Sequence, residues 1–115
     1  MATRLVRDEI TALARGYALL GSGGGGATSM LELVLAGQGQ WPIDIEDAAS
    51  LDPATPCMGV AFVGSTMLLG ERPPGDEPFA PLIAAVERWL GHPVPAVCSL
   101  EGGGMNGLAP LLVAG

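Results

Sequence analysis

Half of the chain's 18 glycines sit in two short stretches, Gly21-Ser22-Gly23-Gly24-Gly25-Gly26 and Gly102-Gly103-Gly104-Met105-Asn106-Gly107. Each precedes a helix-like pattern. Glycine lacks a side chain, so its backbone amide can approach another group closely and its φ can turn positive. A helix start adds free N–H groups and a partial positive charge. The two stretches therefore read as two cradles for an anionic or carbonyl-rich ligand. A second reading makes them packing devices where elements cross closely. Five glycines in six positions lose more backbone entropy than a simple turn needs, which favours the cradle.

The helix and strand patterns around these stretches alternate. Ile10, Leu13, Ala14, Tyr17 and Ala18 recur at helical spacing within Arg7 to Leu20, and Gly21 stops that helix. Leu31, Val34 and Leu35 mark a second helix from about Thr28 to Ala36, with Thr28 or Ser29 at its start. Trp41 to Glu46 alternates as a short strand, and Leu51 to Pro56 is a turn. Cys57 to Val63 is almost wholly apolar, as expected of a strand covered on both faces. Met67-Leu68-Leu69 reads as another short strand, and Arg72 to Asp76 as a surface loop. Phe79, Leu82, Ile83, Val86 and Leu90 define the clearest helix, ended by Gly91. Val94 to Leu100 is a further apolar strand, and a last helix starts near Asn106. This alternation implies an α/β fold, a layered helix–sheet–helix domain with a mainly parallel or mixed sheet.

The 115 residues suit one domain. Twelve acids face five bases, all of them Arg, giving a charge of −7. Nucleic acid and anionic membrane surfaces are excluded as partners by that balance. The start of the chain carries Asp8 and Glu9 where a signal peptide would be apolar, so the reading is cytoplasmic. Cys57 and Cys98 lie in apolar runs and read as buried reduced thiols. The apolar run Ala109 to Gly115 suggests the N-terminal part of a longer polypeptide, and that remainder or another subunit would cover its apolar surface.

Glu101 is the one well-placed ionisable group. It ends an apolar strand and directly precedes the second glycine stretch. Ligand sites of α/β sheets gather at the carboxyl ends of strands, and a carboxylate there can act as a base, a metal ligand or an acceptor. Asn106 reads either as a helix cap or as an amide facing a ligand. The candidate ligand-binding set is Gly23, Gly24, Gly25, Gly26, Gly102, Gly103 and Asn106, with Glu101 as the catalytic candidate. No complete metal or nucleotide motif is present: there is one His, there are two Cys, and no Lys exists to complete a Walker loop. Gly21, Gly23 and Gly26 satisfy a dinucleotide spacing, but a helix rather than a strand precedes them. Ser22, Ser65 and Thr66 have no evident His partner, and His92 sits at the far end of the strand from Glu101.

These motifs resemble a known family. Tyr17-Ala-Leu-Leu-Gly-Ser-Gly-Gly-Gly-Gly, the strand from Gly59 to Gly64, the helix ending Trp89-Leu90-Gly91, and Glu101-Gly-Gly-Gly-Met-Asn-Gly-Leu-Ala-Pro are similar in order and spacing to the S-methyl thiohydantoin desulfurase-like family. The resemblance implies a two-part protein, with an N-terminal α/β domain and a later β-rich portion. It implies action on small cyclic amides or thioamides of the hydantoin or thiohydantoin type, with hydantoinase or oxoprolinase-type enzymes as companions. The alternative it leaves open is a non-catalytic ligand-binding or accessory subunit. The positions matching its motif are Gly23 to Gly26, Glu101, Gly102, Gly103 and Asn106.

Overall fold

The computed structural model describes residues 2–38, 40–72, 75 and 77–114. Near the start, Thr3–Leu5 (β1) pairs antiparallel with Ile43–Ile45 (β2), setting Leu5 opposite Ile43. Both of these side chains are buried, and they fix the register. The Arg4–Asp44 ion pair beside them is exposed on both sides, so it adds little.

A 3-10 turn over Arg7–Glu9 leads into the helix Ile10–Gly21 (α1). The Glu9 carboxylate accepts from the Val6 N–H at 3.0 Å, satisfying a donor at the helix entrance. Ile10 and Ala14 are buried, and Leu13 and Tyr17 pack on the same core, which is the stripe expected from the spacing. Gly21 is the last helical residue rather than the stop. The left-handed position after it falls to Ser22, at φ 49°.

The helix Ser29–Gly37 (α2) buries Leu31 and Leu35 completely. Thr28 occupies the cap position, but its hydroxyl makes no capping bond. Thr11 Oγ1 donates to Glu32 Oε1 at 2.7 Å and ties α1 to α2.

Cys57–Val60 (β3) pairs in parallel with Ala96–Ser99 (β4), Cys57 opposite Ala96 and Val60 opposite Ser99. The crossover between them carries two helices, Thr66–Glu71 (α3) and Ala80–Leu90 (α4). The α/β expectation holds, with both parallel and antiparallel pairing, although the strands form two separate pairs rather than one sheet. Met67, Leu68 and Leu69 lie in α3, not in a strand. Three unbranched apolar residues carry no periodicity of their own, and only Leu69 reaches the core. Pro73, Pro74 and Asp76 of the expected surface loop lie outside the described residues.

β3 is not covered on both faces. Val60 is buried and Met58 half-buried, whereas Cys57 and Gly59 are exposed. Cys57 and Cys98 are accordingly both exposed free thiols, not buried ones. This pair packs Val60 on the core and leaves the face carrying Cys57 and Gly59 open.

The last helix expected near Asn106 is instead two 3-10 turns, Gly104–Gly107 and Ala109–Leu112. Gly107 weakens a regular helix there, and Pro110 removes a donor. These turns are nonetheless central, because Leu108 and Ala109 are completely buried against Leu31, Leu35 and Ala14.

Candidate functional site

The two glycine stretches lie directly against each other. Met105 N–H donates to the Gly25 carbonyl at 3.0 Å. A Cβ at Gly25 would fall 2.6 Å from the Gly103 carbonyl oxygen, and one at Gly103 would fall 2.9 Å from the Gly21 Cα. Gly104 sits at φ +63° against Gly25, where a side chain would be both strained and overlapping. Only backbone fits at this crossing. Close backbone packing accounts for the missing side chain at Gly21, Gly25, Gly103 and Gly104.

The same crossing forms one wall of a hollow of about 310 Å³. Gly24 and Gly25 line it from the first stretch, and Leu100, Glu101, Met105 and Asn106 from the second. Its opposite wall is the segment between β3 and α3, with Phe62, Val63, Gly64 and Thr66. Gly23, Gly26, Gly102 and Gly103 border the loops but do not line the hollow. Gly23 and Gly26 take positive φ, and a Cβ at Gly26 would meet Met105 Sδ at 3.0 Å. A Cβ at Gly24 would find only ordinary contact, with the Gly21 carbonyl 3.5 Å away, and one at Gly102 would find open space. Intramolecular packing thus explains the glycine at 25 and 103 but not at 24 or 102.

Asn106 organises the wall. Its Oδ1 accepts from the Phe62 N–H at 2.8 Å, and its Nδ2 donates to the Phe62 carbonyl at 3.0 Å and to Glu101 Oε1 at 2.8 Å. The residue is buried, and both amide hydrogens are spent. It is no helix cap: Gly103 holds that position for the first 3-10 turn. Phe62 is itself anchored by Phe79, ring centroids 5.0 Å apart.

Glu101 is exposed, with Oε1 held by Asn106. Among the described residues Oε2 has no hydrogen-bond partner, and no cation pairs with the carboxylate. Ser99 Oγ accepts from the Glu101 N–H at 3.2 Å and faces the carbonyls of Glu101 and Asn106, the latter at 2.8 Å. Its single hydrogen serves one of these carbonyls at a time. The backbone at Glu101 is thereby pinned to the end of β4. Gly24 N–H is spent on the Gly21 carbonyl at 2.8 Å, whereas the Gly25 amide has no partner among the described residues.

Residues 8–115 match the profile of the S-Me-THD-like, N-terminal domain. The chain belongs to the S-Me-THD-like family. No curated protein and no solved structure matches it.

Of the candidate residues read from the sequence, Gly24, Gly25, Glu101 and Asn106 line the hollow of this S-Me-THD-like domain, and the wall from Phe62 to Thr66 was not among the candidates. The signal was present: an apolar strand broken by Gly64 at its carboxyl end, where ligand sites gather. Ser99 was also legible, as the one polar residue in an apolar strand. His92 is exposed, at the far end of β4, with Nδ1 2.8 Å from the Pro93 carbonyl. No group of three or more His, Cys, Asp or Glu among the described residues could hold a metal. No helix among them is long and apolar enough to cross a membrane. A larger hollow of about 560 Å³ lies between β2 and β4, bordered by both cysteines and by none of the glycine stretches.

Proposed function

We propose that this domain belongs to an enzyme acting on small cyclic amides or thioamides of the hydantoin or thiohydantoin type, with Glu101 as general base. The observation that carries the reading is a carboxylate oxygen without a partner sharing one hollow with an uncommitted amide, that of Gly25. Water attacks the ring C=S or C=O carbon while Glu101 takes its proton. The negative charge developing on sulfur or oxygen is stabilised by the Gly25 N–H, as in an oxyanion hole. For a thioamide carbon that proton then passes to sulfur, the C–S bond breaks, and the new hydroxyl gives its own proton to the leaving hydrosulfide. Sulfur leaves as hydrogen sulfide and a carbonyl remains, so one water is consumed and no electron moves.

Gly24 admits the ring because it brings no side chain, and Gly23, Gly26, Gly102 and Gly103 hold the loops in shape. Asn106 acts as a positioning residue, since its amide is committed to Glu101 and Phe62. In this reading the protein works in the cytoplasm on a small-molecule substrate. The later β-rich portion that the family resemblance implies would complete the site, and any metal would be supplied from there. Replacing Glu101 by Gln in the full protein should abolish ring turnover with folding intact. Unchanged turnover removes Glu101 from the mechanism.

One observation favours a second reading. Among the described residues Glu101 is the only ionisable side chain lining the hollow, and Val63 and Leu100 on its walls are exposed apolar residues. A ligand-binding or accessory subunit that docks on a hydantoinase or oxoprolinase-type enzyme, or on a second copy of itself, would have this character. Ligand binding without turnover by the full protein, together with a stable partner, would decide for it.

A further inference from the structure

The outer face of the β3–β4 pair carries two thiols that the Glu101 site does not use. The parallel register sets Cys57 opposite Ala96 and Gly59 opposite Cys98. Alternate residues of a strand share a face, so Cys57 and Cys98 stand on the same side as diagonal neighbours. Both are exposed and free. The other two corners are Gly59, with no side chain, and Ala96, with one methyl, so nothing bulky separates the sulfurs. Leu100 folds over Gly59 and walls the site on one side. The two thiols also sense each other. Burial pushes the Cys57 thiol up from its ordinary value, and a hydrogen bond with Cys98 and the charge there push it further.

Both thiols are free rather than joined in a disulfide. An atom bridging them would span about 4.6 Å with two metal–sulfur bonds of about 2.3 Å each. Zinc takes four ligands, and no third His, Cys, Asp or Glu among the described residues joins the pair. Thiolates select soft cations, and two of them suit one of low coordination number.

We propose that Cys57 and Cys98 form a two-thiolate site for a soft monovalent cation of the copper(I) class. Binding replaces two S–H bonds by two metal–sulfur bonds and releases two protons, with no electron transferred. Affinity therefore rises with pH, up to about 100-fold per unit while both thiols are protonated.

The test uses silver(I) as the probe on the reduced full protein, counting the thiols that still react with a chromogenic disulfide. One silver(I) per chain should protect both thiols, and the result should not change on tenfold dilution. Cys57→Ser and Cys98→Ser should each weaken silver binding at least 100-fold, with an unchanged circular-dichroism spectrum because both positions are exposed. A requirement for two silver ions, protection that depends on protein concentration, or a single Ser variant that binds as tightly as the native protein would each overturn the proposal.

Discussion

The buried amide of Asn106 donates to Glu101 Oε1 at 2.8 Å while the same group clamps both backbone atoms of Phe62. One side chain thus joins the two walls of the hollow, from the end of β4 to the segment after β3. Every polar atom of that amide is used. The Phe62 backbone groups it binds are half-buried, so losing the amide removes two bonds and leaves those groups poorly solvated.

Asn106→Ala should therefore destabilise the protein by about 1–3 kcal/mol, because it leaves the part-buried backbone groups of Phe62 without partners. Urea unfolding of the variant and the native protein measures the difference. A loss below about 0.5 kcal/mol, the level of an ordinary surface change, would contradict the clamp.

Glu101→Gln keeps an oxygen for Asn106 and removes only the ionisable group. Stability should change by less than about 0.5 kcal/mol at this exposed position. Turnover of a thiohydantoin by the full protein should fall by about 100- to 10,000-fold, the span of a general base. Steady-state kinetics beside a melting curve separates the two effects.

Two glycines from the same motifs should respond in opposite ways. At Gly103 a methyl would meet the Gly21 backbone, so Gly103→Ala should lose about 1–3 kcal/mol, as overpacking does. At Gly24 a methyl would meet only ordinary contact while standing in the hollow, so Gly24→Ala should leave stability within about 1 kcal/mol and weaken ligand binding. Paired measurements of unfolding and affinity distinguish them. Equal destabilisation at both positions would reduce the first stretch to packing alone.

Cys98→Ala removes two of the causes that raise the Cys57 thiol, and burial remains. The Cys57 value should come down yet stay above the ordinary one. More thiolate then exists at neutral pH, so alkylation of Cys57 by iodoacetamide should speed up. The pH dependence of that rate checks the direction, and a slower reaction would contradict the sulfur–sulfur contact.

Periodicity made α1, α2 and α4 legible, because their apolar stripes repeat over two or more turns. β3 and β4 were legible as apolar runs bounded by turns. Composition gave no means of separating a strand covered on both faces from one lying open beside a single partner, so the exposure of Cys57 and Cys98 was hidden. Met67 to Leu69 is too short for any period to register. The turns after Gly103 looked helical because Leu108, Leu111 and Leu112 are apolar, while their 3-10 geometry comes from Gly107 and Pro110. At the hollow, Gly24, Gly25 and Glu101 are candidates that the chain's own pattern singled out. The 44-residue reach from Asn106 to Phe62 could not be read from it, since no local pattern marks a long-range clamp.

The account rests on the hollow between the glycine stretches being where the ligand sits. Titrating a hydantoin into the isotope-labelled protein and following its backbone amide resonances tests this directly. Shifts should concentrate at Gly24, Gly25, Val63, Gly64 and Glu101, with Gly25 moving as its N–H takes up the ring oxygen. Shifts centred instead on the groove between β2 and β4, with Gly25 and Glu101 unmoved at saturation, would contradict it.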